Sequence, residues 1–126
     1  MKQLSALGLN QTEDKQATTA GAAQQVNLWQ QAAAHSPNLV RPHLNSGVAL
    51  QIDGQDERAV LEYREALAIQ PKLPIAYSNM ATFYLKLGRV DEAKLMLQRA
   101  IGLSGTGRYH DEMQNRLARL SGIQGQ

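Results

Sequence analysis

From Ala22 onward, apolar and small residues recur at spacings of three and four, in blocks closed off by proline or glycine. Such spacing lines one face of an α-helix. Val26, Trp29 and Ala33 mark a first helix beginning at Ala22. Ser36-Pro37 stops it near His35, because the residue before a proline is pushed out of the helical region. Pro42 sits where a first helical turn tolerates a missing N–H, and the helix it belongs to runs to about Ile52. Asp53-Gly54-Gln55 reads as a turn, after which Asp56 and Glu57 supply the negative charge favoured at a helix N-terminus. The helix they open carries Ala59, Val60, Tyr63, Ala66 and Leu67 inward and ends before Pro71. Pro74 then opens a helix to Leu87, Gly88 turns the chain, and Asp91-Glu92 start another that reaches about Leu103. Beyond Ser104-Gly105-Thr106-Gly107, a last helix places Tyr109, Met113, Leu117 and Leu120 on one stripe, with Arg108, Arg116 and Arg119 around it. Residues 1–21 are rich in Gln, Thr, Ala and Gly without an apolar period, and are expected to form a flexible leader; 121–126 are expected to be a loose tail.

The helical blocks are copies of one unit. Displaced by 34 residues, Val26 falls on Val60, Ala32 on Ala66, Pro37 on Pro71, Leu39 on Leu73 and Asn45 on Asn79. Gly54 falls likewise on Gly88, Ala59 on Ala93, Leu61 on Leu95 and Ala66 on Ala100. The matches are small residues and turn formers, placed where a stacked helical hairpin needs them. The expected organisation is all-α: a half repeat over 22–36, repeats over 40–73 and 74–106, and a capping helix over 107–120. The last helix suits a cap, with one apolar face and one wet face. The first lacks its own partner, so Trp29 must lie against the helix containing Pro42 or against a second copy, and this open end offers a route to self-association.

Composition agrees and narrows the function classes. The 126 residues suffice for one domain, and 5% aromatic content fits helices better than an aromatic-rich sheet. The net charge of +2 arises from 13 basic and 11 acidic side chains spread along the chain, which gives nucleic-acid binding little support. With no cysteine there are no disulfides, thiolate metal sites or thiol nucleophile. No apolar run approaches a membrane span, and the opening residues are too interrupted for a signal sequence. The segment itself is thus expected to make no membrane contact, and the chain, if complete, to be cytoplasmic.

The residues resemble the tetratricopeptide (TPR) pattern of small, large and small positions. His43, Ser46, Gly47, Leu50, Ala59, Tyr63, Ala66 and Pro71 fill it in the first full repeat. Tyr77, Met80, Ala81, Tyr84, Ala93, Leu97 and Ala100 fill it in the second, without the closing proline. The resemblance covers roughly four-fifths of the chain and implies a solenoid of antiparallel helix pairs that scaffolds protein–protein contacts. A second resemblance concerns the run Leu28-Trp29, Ser36-Pro37-Asn38, Arg41-Pro42-His43, Asn45 and Gly47. It is similar to the first repeat after the last membrane helix of polytopic glycosyltransferase-like or polymerase-like proteins, and implies a periplasmic or lumenal tail.

Catalysis finds no foothold in the sequence. His35, His43 and His110 are never three or four apart, so no two-His metal face exists, and His43 takes the slot held by Tyr77 in the next repeat. Asp53 to Glu57 lacks the ligand alternation of a calcium loop. Ser36, Ser46 and Ser104 have no base in a suggestive motif, and the glycines at 102, 105 and 107 do not follow a strand. The expectation is no catalytic residue, no cofactor and no metal.

What remains is the concave side, which the first helix of each pair lines. Away from the core, one such helix shows Arg41, Asn45, Val48 and Ile52, and the other Ile75, Asn79, Thr82 and Lys86. Asn45 and Asn79 occupy the same place in consecutive repeats. In TPR proteins that hold extended peptides, asparagines there bond the ligand backbone; an amide both donates and accepts, so it suits a peptide bond of any sequence. The third row would be Tyr109 and Met113, neither cationic, which argues against a carboxylate clamp, while Arg41, Lys86 and Arg116 favour an acidic segment. The expected partner is a protein or peptide.

Overall fold

A computed structural model describes the backbone of residues 11–125 and the side chains of 21–122. Among the described residues six helices follow one another: α1 Gln11–His35, α2 Val40–Ile52, α3 Asp56–Ile69, α4 Pro74–Lys86, α5 Val90–Ser104 and α6 Arg108–Gly125. Among the described residues there is no strand. The chain is an all-α solenoid in which α2 pairs with α3 and α4 with α5, α1 lies against α2, and α6 covers α5.

Two hairpin turns show why the repeat closes in the same way twice. After α2, Gly54 takes φ +83°, and Gln55 N donates back to Leu50 O at 2.8 Å. After α4, Gly88 takes φ +74°, and Arg89 N donates to Tyr84 O at 2.9 Å. Both are six-to-one helix ends that need a left-handed residue, which glycine adopts without steric cost. The other corner is set by proline: α3 ends at Gln70, extended before Pro71, and Pro74 is the first residue of α4.

Small residues let the helices approach. Ala59, Tyr63 and Ala66 on α3 and Ala93, Leu97 and Ala100 on α5 are all fully buried, in matching register. Ala81 is also fully buried. A Cβ added at Gly47 would lie 2.5 to 2.9 Å from three ring atoms of Tyr63, so α2 and α3 meet there in glycine-to-ring contact. Burying a side chain such as Leu50 or Leu97 stabilises by about 1.5–3 kcal/mol, and the stack supplies the surface against which each hairpin does so. On α6, Met113 is buried and Tyr109, Leu117 and Leu120 pack partly buried against the core, the stripe expected of a cap.

The helices differ from the sequence expectation at both ends of the chain. The first begins at Gln11 rather than Ala22, so residues 11–21 belong to it, and the last runs to Gly125 rather than Leu120. Residues 1–10 of the expected leader lie outside the described residues.

Candidate peptide-binding groove

The first helices of the two hairpins are joined through a polar knot. Gln51 Nε2 on α2 donates to the backbone oxygen of Asn79 on α4 at 3.0 Å. The Tyr63 hydroxyl on α3 donates to Gln51 Oε1 and accepts from Asn79 Nδ2 at 3.3 Å. Burial pushes the Tyr63 pKa well above the ordinary tyrosine range; the Asn79 hydrogen bond opposes that rise and the charge of Asp56 adds to it. The hydroxyl therefore stays protonated and continues to donate. Asn79 is held by this knot, and among the described residues its side-chain oxygen accepts no hydrogen bond.

On the α1 side, Asn45, Val48 and Ile52 line a cleft of about 260 Å³ with Ala22, Gln25, Trp29 and Ala49. Its lining is mostly apolar, with two amides on it. Trp29 thus lies against α2, as one of the two sequence expectations had it, and Ile52 keeps 64% of its surface exposed. Arg41 is exposed one turn before Asn45, and Ile75 is 41% exposed at the start of α4.

Toward the C-terminal side, Thr82 Oγ1 donates to Ser78 O at 3.4 Å and accepts from Arg116 Nη2 of α6 at 3.3 Å. Lys86 is turned to the other hairpin, where its Nζ lies 3.2 Å from Asp56 Oδ2. The structure therefore groups Asn45, Val48 and Ile52 around Trp29, and Asn79 and Thr82 with Tyr63, Gln51 and Arg116. Lys86 pairs with the first residue of α3, beside the turn inside the first hairpin. Gln51 and Tyr63 were not among the predicted groove residues; Gln51 breaks the apolar match with Leu85 one repeat on, the one signal in the sequence that marks it.

His43 is buried as a structural residue. Its Nδ1 lies 2.9 Å from Glu62 Oε1 and its Nε2 2.9 Å from Pro37 O, and Ser46 Oγ donates to Glu62 Oε2 at 2.9 Å. Burial lowers its pKa, but the Glu62 and Pro37 hydrogen bonds and the charges of Glu62 and Glu65 outweigh it, so the value is raised above 6.5. Both nitrogens face acceptors, an arrangement that only the doubly protonated ring satisfies. The Ser46 hydroxyl donates its hydrogen bond to the carboxylate rather than to the imidazole, so the trio does not form an activated nucleophile. Among the described residues, no three His, Asp or Glu side chains are grouped to hold a metal ion, and no helix is long and apolar enough to cross a membrane.

Stacked hairpins with small-residue seams define a helical-repeat protein. Residues 52–106 carry tetratricopeptide repeats. A TPR repeat model matches residues 52–88, and a second tetratricopeptide repeat model matches 75–106. Mouse sperm-associated antigen 1 is 39% identical over 59 residues, which is 47% of this chain and only 6% of that protein. Among solved structures, the type III secretion translocator chaperone SycD of Yersinia enterocolitica superposes with a TM-score of 0.76 at 17% identity, covering 98% of this chain and 94% of that one. PcrH in complex with the chaperone binding region of PopD superposes with a TM-score of 0.72 at 23% identity, covering 98% and 90%. At such identities the likeness is one of fold.

Proposed function

We propose that this chain is a non-catalytic adaptor that holds an extended peptide along its concave side, from the Trp29 cleft past Asn45 to Asn79 and Arg116. The observation that carries the reading is the cleft itself, where Asn45 stands beside Trp29, Val48 and Ile52. An apolar side chain of the ligand fits against Trp29 and Ile52, while the Asn45 amide meets the adjoining peptide bond. Asn79, fixed by Tyr63 and with a side-chain oxygen that accepts no hydrogen bond among the described residues, offers the second amide. The fold likeness to a chaperone solved with a bound segment of its client supports a peptide-holding role. Lys86 is engaged by Asp56, so Arg41 and Arg116 are the cations left to favour an acidic ligand. Two repeats contact only a few ligand residues, which places the affinity near micromolar, roughly −8 kcal/mol.

Peptides selected from a displayed random library against the full chain provide the test. Their affinity is expected to fall in Asn45→Ala and Trp29→Ala with little change in helicity. Selected peptides that bind both variants as tightly as the unaltered chain would place the binding surface elsewhere.

A further inference from the structure

One station in the fold occurs twice, a repeat apart, and the two copies carry opposite charge. At the first, the Pro37 corner, His43 of α2 and Glu62 and Glu65 of α3 come together, and the buried His43 is matched by Glu62 and the Pro37 carbonyl. In the second copy Pro71 replaces Pro37, Lys72 replaces Asn38 and Tyr77 replaces His43. Met96 stands for Glu62, Arg99 for Glu65 and Leu103 for Ile69. Both carboxylates have gone, and two cations have appeared.

The second station is an open cleft of about 460 Å³ lined by Pro71, Lys72, Tyr77, Arg99, Gly102 and Leu103. The Arg99 guanidinium lies over the Tyr77 ring, 5.8 Å from its centroid. A cation–π attraction of this kind commits none of the guanidinium N–H groups, which remain for an acceptor. Lys72 and Arg99 are both exposed, and among the described residues neither has an ion-pair partner.

We propose that this cleft docks an acidic peptide segment of a partner protein, its carboxylate taken by Lys72 and Arg99 and a neighbouring apolar side chain laid against Tyr77, Pro71 and Leu103. Charge complementarity selects the acid, since the first copy shows a carboxylate pair where the second has Met96 and Arg99. The volume and the apolar floor select a peptide over a free anion, which would leave most of the cleft unfilled. Two cations fall short of the clusters of four or more that read as lipid-binding. The cleft is separate from the concave groove: Tyr77 is two positions from Ile75 and from Asn79, roughly 200° round the helix from each. It therefore stands or falls apart from the groove reading.

The probe is a short end-blocked peptide alternating glutamate and leucine, titrated into the full chain at low ionic strength and followed by amide NMR shifts. Saturable shifts at Tyr77, Gly102 and Leu103 are expected. Affinity should drop about tenfold when glutamine replaces glutamate in the peptide, and about tenfold in Arg99→Gln, the scale of one charge-assisted hydrogen bond. The charge reversal Lys72→Glu with Arg99→Glu should abolish binding, and Asn45→Ala should leave it unchanged. If the reversed variant loses its helicity, Lys72→Gln with Arg99→Gln replaces it with the same expected loss. The proposal is overturned if the glutamine peptide binds equally well or if the shifts fall on Asn45 and Trp29. It is equally overturned if inorganic phosphate displaces the peptide at matching concentration, which would make the cleft a simple anion site. Anionic vesicles binding through Lys72 and Arg99 while the peptide does not would also overturn it, in favour of a lipid surface.

Discussion

Gly47→Ala tests whether the fold rests on the contact between α2 and the Tyr63 ring. An alanine methyl there would sit 2.5 Å from Tyr63 Cε1, 2.8 Å from Cδ1 and 2.9 Å from Cζ, where carbon atoms normally settle near 3.5–4.0 Å. The ring cannot swing out, because Tyr63 is fully buried and its hydroxyl is held between Gln51 and Asn79. Inserting atoms into a packed core costs about 1–3 kcal/mol, and disturbing a buried hydroxyl's partners adds about 1–3 kcal/mol. Alanine in place of glycine within a helix returns about 1 kcal/mol. The net expectation is a loss of about 1–5 kcal/mol, centred near 3, which for a chain of this size lowers Tm by roughly 12 °C.

Gly102→Ala supplies the control of opposite sign. Gly102 is also helical, within α5, but a Cβ there meets nothing within 4 Å, so only the propensity gain applies and stability should rise by a few tenths to about 1 kcal/mol. Urea unfolding followed by far-UV circular dichroism measures both. Tyr63→Leu in the Gly47→Ala background removes the clashing ring edge, so the double variant should lose less than the two single losses added together. Equal and same-signed shifts for the two glycine variants, with plain additivity at Tyr63, would refute the claim that ring contact is what excludes a side chain at position 47.

Three further outcomes follow from the packing and the buried polar groups. Ala81→Leu forces three extra carbons into a fully buried seam and should cost about 1–3 kcal/mol; an unchanged thermal melt would contradict the repeat register. Deleting residues 1–35 strips α1 from α2 and uncovers Val48 and Ala49, so light scattering and circular dichroism should report association or lost helicity. Because His43 has its pKa raised in the folded chain, its contribution is fully present below about 6.5 and is lost as pH rises through the higher folded value. Melting temperature should therefore decline across that window, and His43→Gln should flatten the decline; a variant with the same pH profile would remove His43 as its cause.

The repeat register was legible because a solenoid writes its packing into spacing: Ala59 with Ala93, Tyr63 with Leu97 and Gly54 with Gly88 each do one job at one place. Helix ends without an apolar period left no such trace. Residues 11–21 are Gln-, Thr- and Ala-rich, compatible with helix by propensity, but they lack the apolar period that a sequence reading detects. The candidate groove residues could be placed on one helix stripe, while the fate of the long side chains among them could not be read. Spacing places Lys86 on the α4 face, but which carboxylate its four-carbon stem reaches depends on the Asp56 turn of the other hairpin. The knot of Gln51, Tyr63 and Asn79 escaped for a related reason: Gln51 has no counterpart one repeat on, and periodicity sees only what recurs.

That knot joins the proposed groove to the core. Tyr63 is the large residue that fills the gap left by Gly47, and the same side chain, through its hydroxyl, positions Asn79. The seam that stabilises the first hairpin thus also sets the orientation of an amide on the second. At the far end, Arg116 reaches from the capping helix to Thr82, so α6 contributes to the groove face as well as covering α5. A core substitution such as Gly47→Ala should accordingly weaken peptide binding even at temperatures where the chain remains fully folded, by freeing Asn79. Tyr63→Phe isolates that coupling. It keeps the ring against Gly47 but removes the hydroxyl, so it should lower affinity for groove-selected peptides more than the loss of one hydrogen bond lowers stability. Undiminished affinity in Tyr63→Phe would separate the packing seam from the groove and leave Asn79 to be oriented by its backbone alone.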